Sequence, residues 1–69
     1  MPLAMIGEGE PVVIKRIKGN DKTRLFIEKL GFVTGSEVTV IAKRGNDLIV
    51  KVKDSRIAVG RDIAMKIFV

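Results

Sequence analysis

Few side chains in this chain have the chemistry for catalysis or tight metal binding. It contains no His, Cys, Tyr or Trp. The hydroxyls are Thr23, Thr34, Ser36, Thr39 and Ser55. Nothing in their spacing supplies the general base that a nucleophilic hydroxyl requires. The carboxylates Glu8, Glu10, Asp21, Glu28, Glu37, Asp47, Asp54 and Asp62 are spread along the chain. They fall on expected loops and outward faces, where their role is solvation rather than acid–base work. Without thiolate or imidazole, the usual zinc, copper and iron–sulfur ligand sets are excluded, and so are disulfides. Glu8 and Glu10, in the Gly7–Pro11 stretch GEGEP, could offer oxygens to a hard cation. Two carboxylates on a loop would hold one weakly, and a solvated turn is the simpler reading. The same stretch is not a phosphate loop, because its acids repel phosphate and no Gly-Lys-Ser/Thr follows. No catalytic residue, metal site or cofactor is expected, and the residue types point to binding.

The net charge of +5, from 13 basic and 8 acidic residues, suits an anionic partner: nucleic acid, an anionic membrane surface or an acidic protein face. The basic residues are scattered, without the dense run that marks a nucleic-acid patch. With three Phe as the only aromatics, polyproline grooves, methyl-lysine cages and base-stacking platforms are all poorly supplied. A small barrel that binds nucleic acid through charge alone is therefore the alternative function. The more informative residue is Leu25. At 100° per residue the segment Lys22–Leu30 is helical, with Thr23, Phe26, Ile27 and Leu30 on one face. Leu25 points away from that face, among Asp21, Lys22, Glu28 and Lys29. An apolar side chain ringed by charge is how an interface presents a hot spot with a polar rim. Leu25, Lys22, Lys29 and Arg24 are thus the candidate partner-binding residues.

The elements that would position this face can also be read. A chain of 69 residues is one domain, 1–69, with a marginal core. No apolar run is long enough to span a membrane, and PLAMIG at the start is too short for a signal peptide. Val12–Lys18 reads as one strand, and Asn20 or Asp21 caps the following helix. Gly31 ends that helix with a left-handed cap, Phe32 tucks into the core, and Gly35 allows the turn into the next strand, so these three have structural roles. Ser36–Lys43 alternates, with Val38, Val40 and Ala42 on one side and Glu37, Thr39 and Lys43 on the other. Arg44–Asp47 signals a tight hairpin. Leu48, Val50 and Val52 then face inward, Asp54-Ser55 turns the chain, and Arg56–Val59 forms a strand. Gly60–Ala64 makes a single helical turn before a last strand with Met65, Ile67 and Val69 on one face. The result is a mainly β fold: a small barrel of about five strands, with one helix after the first strand and a short helical turn before the last.

The segment RLFIEKLGFVTGSEVTVI resembles the hallmark of the ferrous iron transport protein A family, FeoA, through Leu30, Gly31, Phe32, Gly35, Ser36, Glu37 and Val38. The ending RIAVGRDIAMKIFV is similar to the family's close, at Ile57, Ala58, Val59, Arg61, Ala64, Ile67 and Val69, and GEGEPVVIKRIKG fits its first strand. The resemblance covers nearly the whole chain. It implies an SH3-like barrel with an inserted helix. It also implies a cytoplasmic accessory protein whose partner is the cytosolic portion of FeoB, the ferrous-iron transporter with a GTP-binding domain. Such a protein reaches the inner membrane only through that partner. The absence of His and Cys argues that it holds no metal tightly, and the scattered basic residues with few aromatics leave nucleic acid a disfavoured partner. A third reading is an assembly module that pairs through its barrel edge.

Overall fold

Alternation and turn chemistry build the central sheet. Strand β3, Glu37–Arg44, and strand β4, Asp47–Val52, form a hairpin whose two-residue turn is Gly45-Asn46. All 69 residues are described by the computed structural model. The Leu48, Val50 and Val52 side chains of β4 are all buried, as period-two alternation predicts. Strand β5, Ser55–Gly60, pairs with β4 along its length, and β1, Pro11–Val13, pairs with the start of β3. This gives a four-stranded antiparallel sheet in the order β1-β3-β4-β5. A second sheet pairs β2, Arg16–Ile17, with β6, Ile67–Phe68. Helix α1, Asp21–Lys29, follows β2, and the single turn α2, Arg61–Ala64, precedes β6. The architecture is mainly β, with six short strands rather than about five.

The additional strand arises because the expected Val12–Lys18 strand breaks at Ile14. The Ile14 N–H donates to the Ser36 carbonyl at 2.9 Å, and its carbonyl accepts from the Gly35 N–H at 2.8 Å. The next residue turns to the other sheet, where the Lys15 N–H donates to the Phe68 carbonyl at 2.7 Å. One β-branched run thus serves two sheets and forms a corner of the barrel.

A second correction concerns β3. A bulge lies between Val40 and Ala42, so the register slips from Val40↔Val50 to Ala42↔Ile49 and Lys43↔Leu48. An extra residue exchanges the faces of the residues beyond it. Ala42 is therefore not the third inward residue, and Lys43 stands on the core side of the sheet opposite buried Leu48. Its stem runs along the barrel end, and its Nζ donates to the Ala4 carbonyl at 3.1 Å while the residue stays exposed. The bulged stretch is held by the GEGEP loop. The Gly9 N–H donates to the Val40 carbonyl at 2.8 Å, and the Glu8 carboxylate accepts from the Lys43 N–H at 2.9 Å.

Fourteen buried apolar side chains form one core cluster, and Phe32 is its sole aromatic. No polar side chain is buried. The N-terminal apolar stretch belongs to this core: Leu3–Met5 is a turn of 3-10 helix with Leu3 and Ala4 buried. The chain closes on itself beside it. The Val69 N–H donates to the Met1 carbonyl at 2.8 Å, and the Met1 ammonium donates to the Val69 carbonyl at 3.0 Å. Met65 is exposed rather than inward, because it caps α2 instead of starting β6.

One turn residue is conformationally expensive. Lys53, between β4 and β5, has φ of 55°, a left-handed value that costs a residue with a Cβ about 1 kcal/mol. Glycine there recovers that cost but loses more chain entropy on folding. We expect Lys53→Gly to stabilise the protein by about 0.5 kcal/mol, a rise of roughly 2–4 °C in Tm by thermal denaturation.

Candidate functional site

Local sequence fixes helix α1 at both ends. Asn20 is the N-cap, and its side-chain oxygen accepts from the Thr23 N–H at 2.8 Å. Asp21 lies in the first turn and Lys29 in the last, each matching the helix dipole. At the other end the Gly31 N–H donates to the Glu28 carbonyl at 2.9 Å, and the Phe32 N–H donates to the Ile27 carbonyl at 3.3 Å. This is a Schellman motif, and it requires the φ of 109° that Gly31 adopts. A Cβ at Gly31 would meet Val52 and Ile57 only at ordinary contact distance, so conformation rather than space selects glycine. Phe32, held by this motif, is fully buried beside Ile27. Gly35, at φ of 93°, has nothing near its missing Cβ and supplies the turn whose N–H meets Ile14.

The Schellman motif sets how the helix presents its outer face. Ile27 is the inward anchor at 0% exposure, while Leu25 is 53% exposed. Phe26 is also 53% exposed, which corrects its expected place in the core. The helix is short, and Ile27 is its only fully buried side chain. Phe26 therefore lies at the flank of the buried face, on a different side of the helix from Leu25.

Beside Leu25 runs an open groove of about 510 Å³ between helix and strand. Lys15, Arg16 and Ile17 form one wall, and Arg24, Leu25 and Glu28 the other. The Arg24 guanidinium donates to Asp21 Oδ1 at 2.6 Å, with both side chains largely in solvent. An exposed pair of this kind contributes little to stability. Of the sequence-derived candidates, Leu25 and Arg24 share the groove, whereas Lys22 and Lys29 stand on the helix outside it. Helical periodicity did not reveal Lys15 and Arg16, because they come from the strand that folds alongside. Arg16 also lies 5.3 Å from the centre of the Phe68 ring, and the Lys18 ammonium lies 4.8 Å from it. These are cation–π contacts. No three His, Cys, Asp or Glu side chains converge as a metal-binding group. No helix is long and apolar enough to cross a membrane.

Comparison with known proteins gives consistent matches. The FeoA domain family matches residues 1–69. A protein of Methanocaldococcus jannaschii with the provisional name Fe(2+) transport protein A is 38% identical over 68 residues, covering 99% of this chain and 83% of its own. Among solved structures, FeoA of Stenotrophomonas maltophilia in complex with zinc is described as an SH3 domain protein and suggested as a ferrous iron transport activating factor. It superimposes with a TM-score of 0.84 at 28% identity, over 99% of this chain and 87% of that one. A crystal structure of an iron uptake regulatory protein, FeoA, shares the fold with a TM-score of 0.90 at 24% identity, over 97% and 91% of the two chains.

Proposed function

The chain belongs to the FeoA domain family, and from that premise we propose that it is a small cytosolic accessory protein of ferrous iron transport that binds and modulates a FeoB-type membrane transporter. Iron is the transporter's cargo in this reading and not a ligand of this chain. The role is binding rather than catalysis. The observation that carries the docking face is Leu25, half-exposed on a helix whose angle is fixed by a capping motif. The cationic side chains of Lys15, Arg16 and Arg24 frame the same groove. Apolar anchors supply affinity at such a surface, and rim charges steer encounter.

The test is binding of the purified chain to the cytosolic portion of the transporter, measured by surface plasmon resonance. Leu25→Asp should weaken binding at least about tenfold, as expected for a desolvated anchor. It should leave the unfolding midpoint unchanged within about 0.5 kcal/mol, because the side chain is outside the core. Unchanged binding by the folded variant would remove Leu25 from the interface. A gel shift at two salt concentrations separates the nucleic-acid alternative. Association through phosphates falls by roughly one power of salt for each contact, whereas an anchor-driven protein contact falls far less.

A further inference from the structure

Strand β5 ends the four-stranded sheet, and only one of its sides is paired. Its register with β4 runs from Val52↔Ser55 to Asp47↔Gly60. The two-residue turn makes Val52 and Ser55 a mutually hydrogen-bonded pair, so bonding continues at Ile57 and Val59. The Arg61 N–H, which donates to the Asn46 carbonyl at 2.7 Å, keeps the same alternation. The N–H groups of Arg56, Ala58 and Gly60 therefore point away from the sheet, and no backbone bond from a loop or turn reaches them. The opposite edge, β1, is only three residues long and starts with a proline, both of which discourage pairing. β5 has six residues and no proline, and its exposed outward side chains are Arg56 and the small Ala58.

We propose that β5 is a self-recognition edge, through which two copies of the chain pair antiparallel about a twofold axis at Ala58. The side chains select this register. An axis at Arg56 would set two arginines directly opposite each other, which destabilises a strand pair. An axis at Ile57 would leave each arginine facing an alanine. An axis at Ala58 sets Arg56 opposite the partner copy's Gly60. There Asp62 Oδ1 lies 2.6 Å from the place a Cβ on Gly60 would occupy, so a carboxylate fills the position across from each arginine. Ala58 bonds to its counterpart in both directions. The Gly60 N–H donates to the opposite Arg56 carbonyl, while the Gly60 carbonyl serves α2 as its N-cap. The shared edge is short, so the dimer belongs to the weak, concentration-dependent class.

The experiment is sedimentation of the full chain over a concentration series, with amide hydrogen exchange on the same samples. Association should rise with concentration, and the Arg56, Ala58 and Gly60 amides should become protected in step. Arg56→Asp or Asp62→Arg places like charges across both symmetric contacts and should weaken association at least about tenfold. The double reversal should restore it to within about threefold. Both side chains are exposed, and circular dichroism is the check that each variant folds. A chain that stays monomeric throughout, or a dimer indifferent to either reversal, overturns the proposal. So does protection of β5 amides by the transporter's cytosolic portion alone. Leu25→Asp leaves this dimer intact, so the two interfaces fail independently.

Discussion

Phe32→Ala should leave most of the protein unfolded in water at 25 °C. Phe32 is the one aromatic ring in the core and is 0% exposed. Truncating a buried Phe costs about 3–5 kcal/mol, from lost transfer energy and from the cavity left behind. A domain below about 80 residues has total stability of roughly that size. The neighbourhood is poorly placed to collapse into the gap, because the Phe32 N–H is tied to the Ile27 carbonyl and Gly31 is committed to its left-handed turn. Urea titration followed by circular dichroism should show a cooperative transition for the parent chain and little or none for the variant. Phe32→Leu keeps most of the volume and should cost about 1.5 kcal/mol or less, leaving a measurable transition. A Phe32→Ala midpoint close to that of the parent would mean that the ring is not the keystone of the core.

The second large effect is at the start of the chain. Leu3→Ala should destabilise the protein by about 3 kcal/mol, within the range for buried Leu truncation. Leu3 has no exposure, while Met1 and Met5 on either side are 65% and 53% exposed. Two bonds shape the turn that delivers it: the Met5 N–H donates to the Pro2 carbonyl at 3.0 Å, and the Ile6 N–H donates to the Leu3 carbonyl at 3.1 Å. Met5→Ala removes a side chain of similar size from the same turn and should change stability by less than about 0.5 kcal/mol. The contrast between the two, read from denaturant midpoints at equal m-values, isolates burial from any effect on the turn. Equal effects would show the turn to be a surface decoration.

Leu3 also marks where sequence reasoning stops. A six-residue apolar stretch has no period long enough to give a direction, so PLAMIG reads only as too short for a signal peptide, and nothing local marks it as part of the core. Interactions written in adjacent residues were legible: the Asn20 cap, the Gly45-Asn46 turn and the inward triplet Leu48, Val50 and Val52. Interactions decided by distant partners were not. Val12–Lys18 reads as one strand, and only the competing claims of β3 and β6 break it at Ile14. The bulge before Ala42 is invisible to alternation, which favours Ala42 over Lys43 on the core side; the bonds that hold the bulged stretch come from Glu8 and Gly9 in a distant loop. Helical periodicity placed Phe26 inward, but a helix anchored by Ile27 alone leaves that angle to its end caps. Of the candidate site, the helix half was readable through Leu25 and Arg24. The strand half, Lys15 and Arg16, enters through tertiary folding.

The pairing of β2 with β6 has a consequence for the order of folding. Its partners, Arg16 with Phe68 and Ile17 with Ile67, come from remote parts of the chain. Helix α1 and the hairpins of β3, β4 and β5 join near neighbours and can form early. The second sheet joins distant segments, and such contacts are the slow ones to close. Until it closes, Ile17 and Ile67, both buried in the finished barrel, stay without their cover and open to contact with other unfinished chains. Closure of β2 on β6 therefore times the folding of the whole barrel.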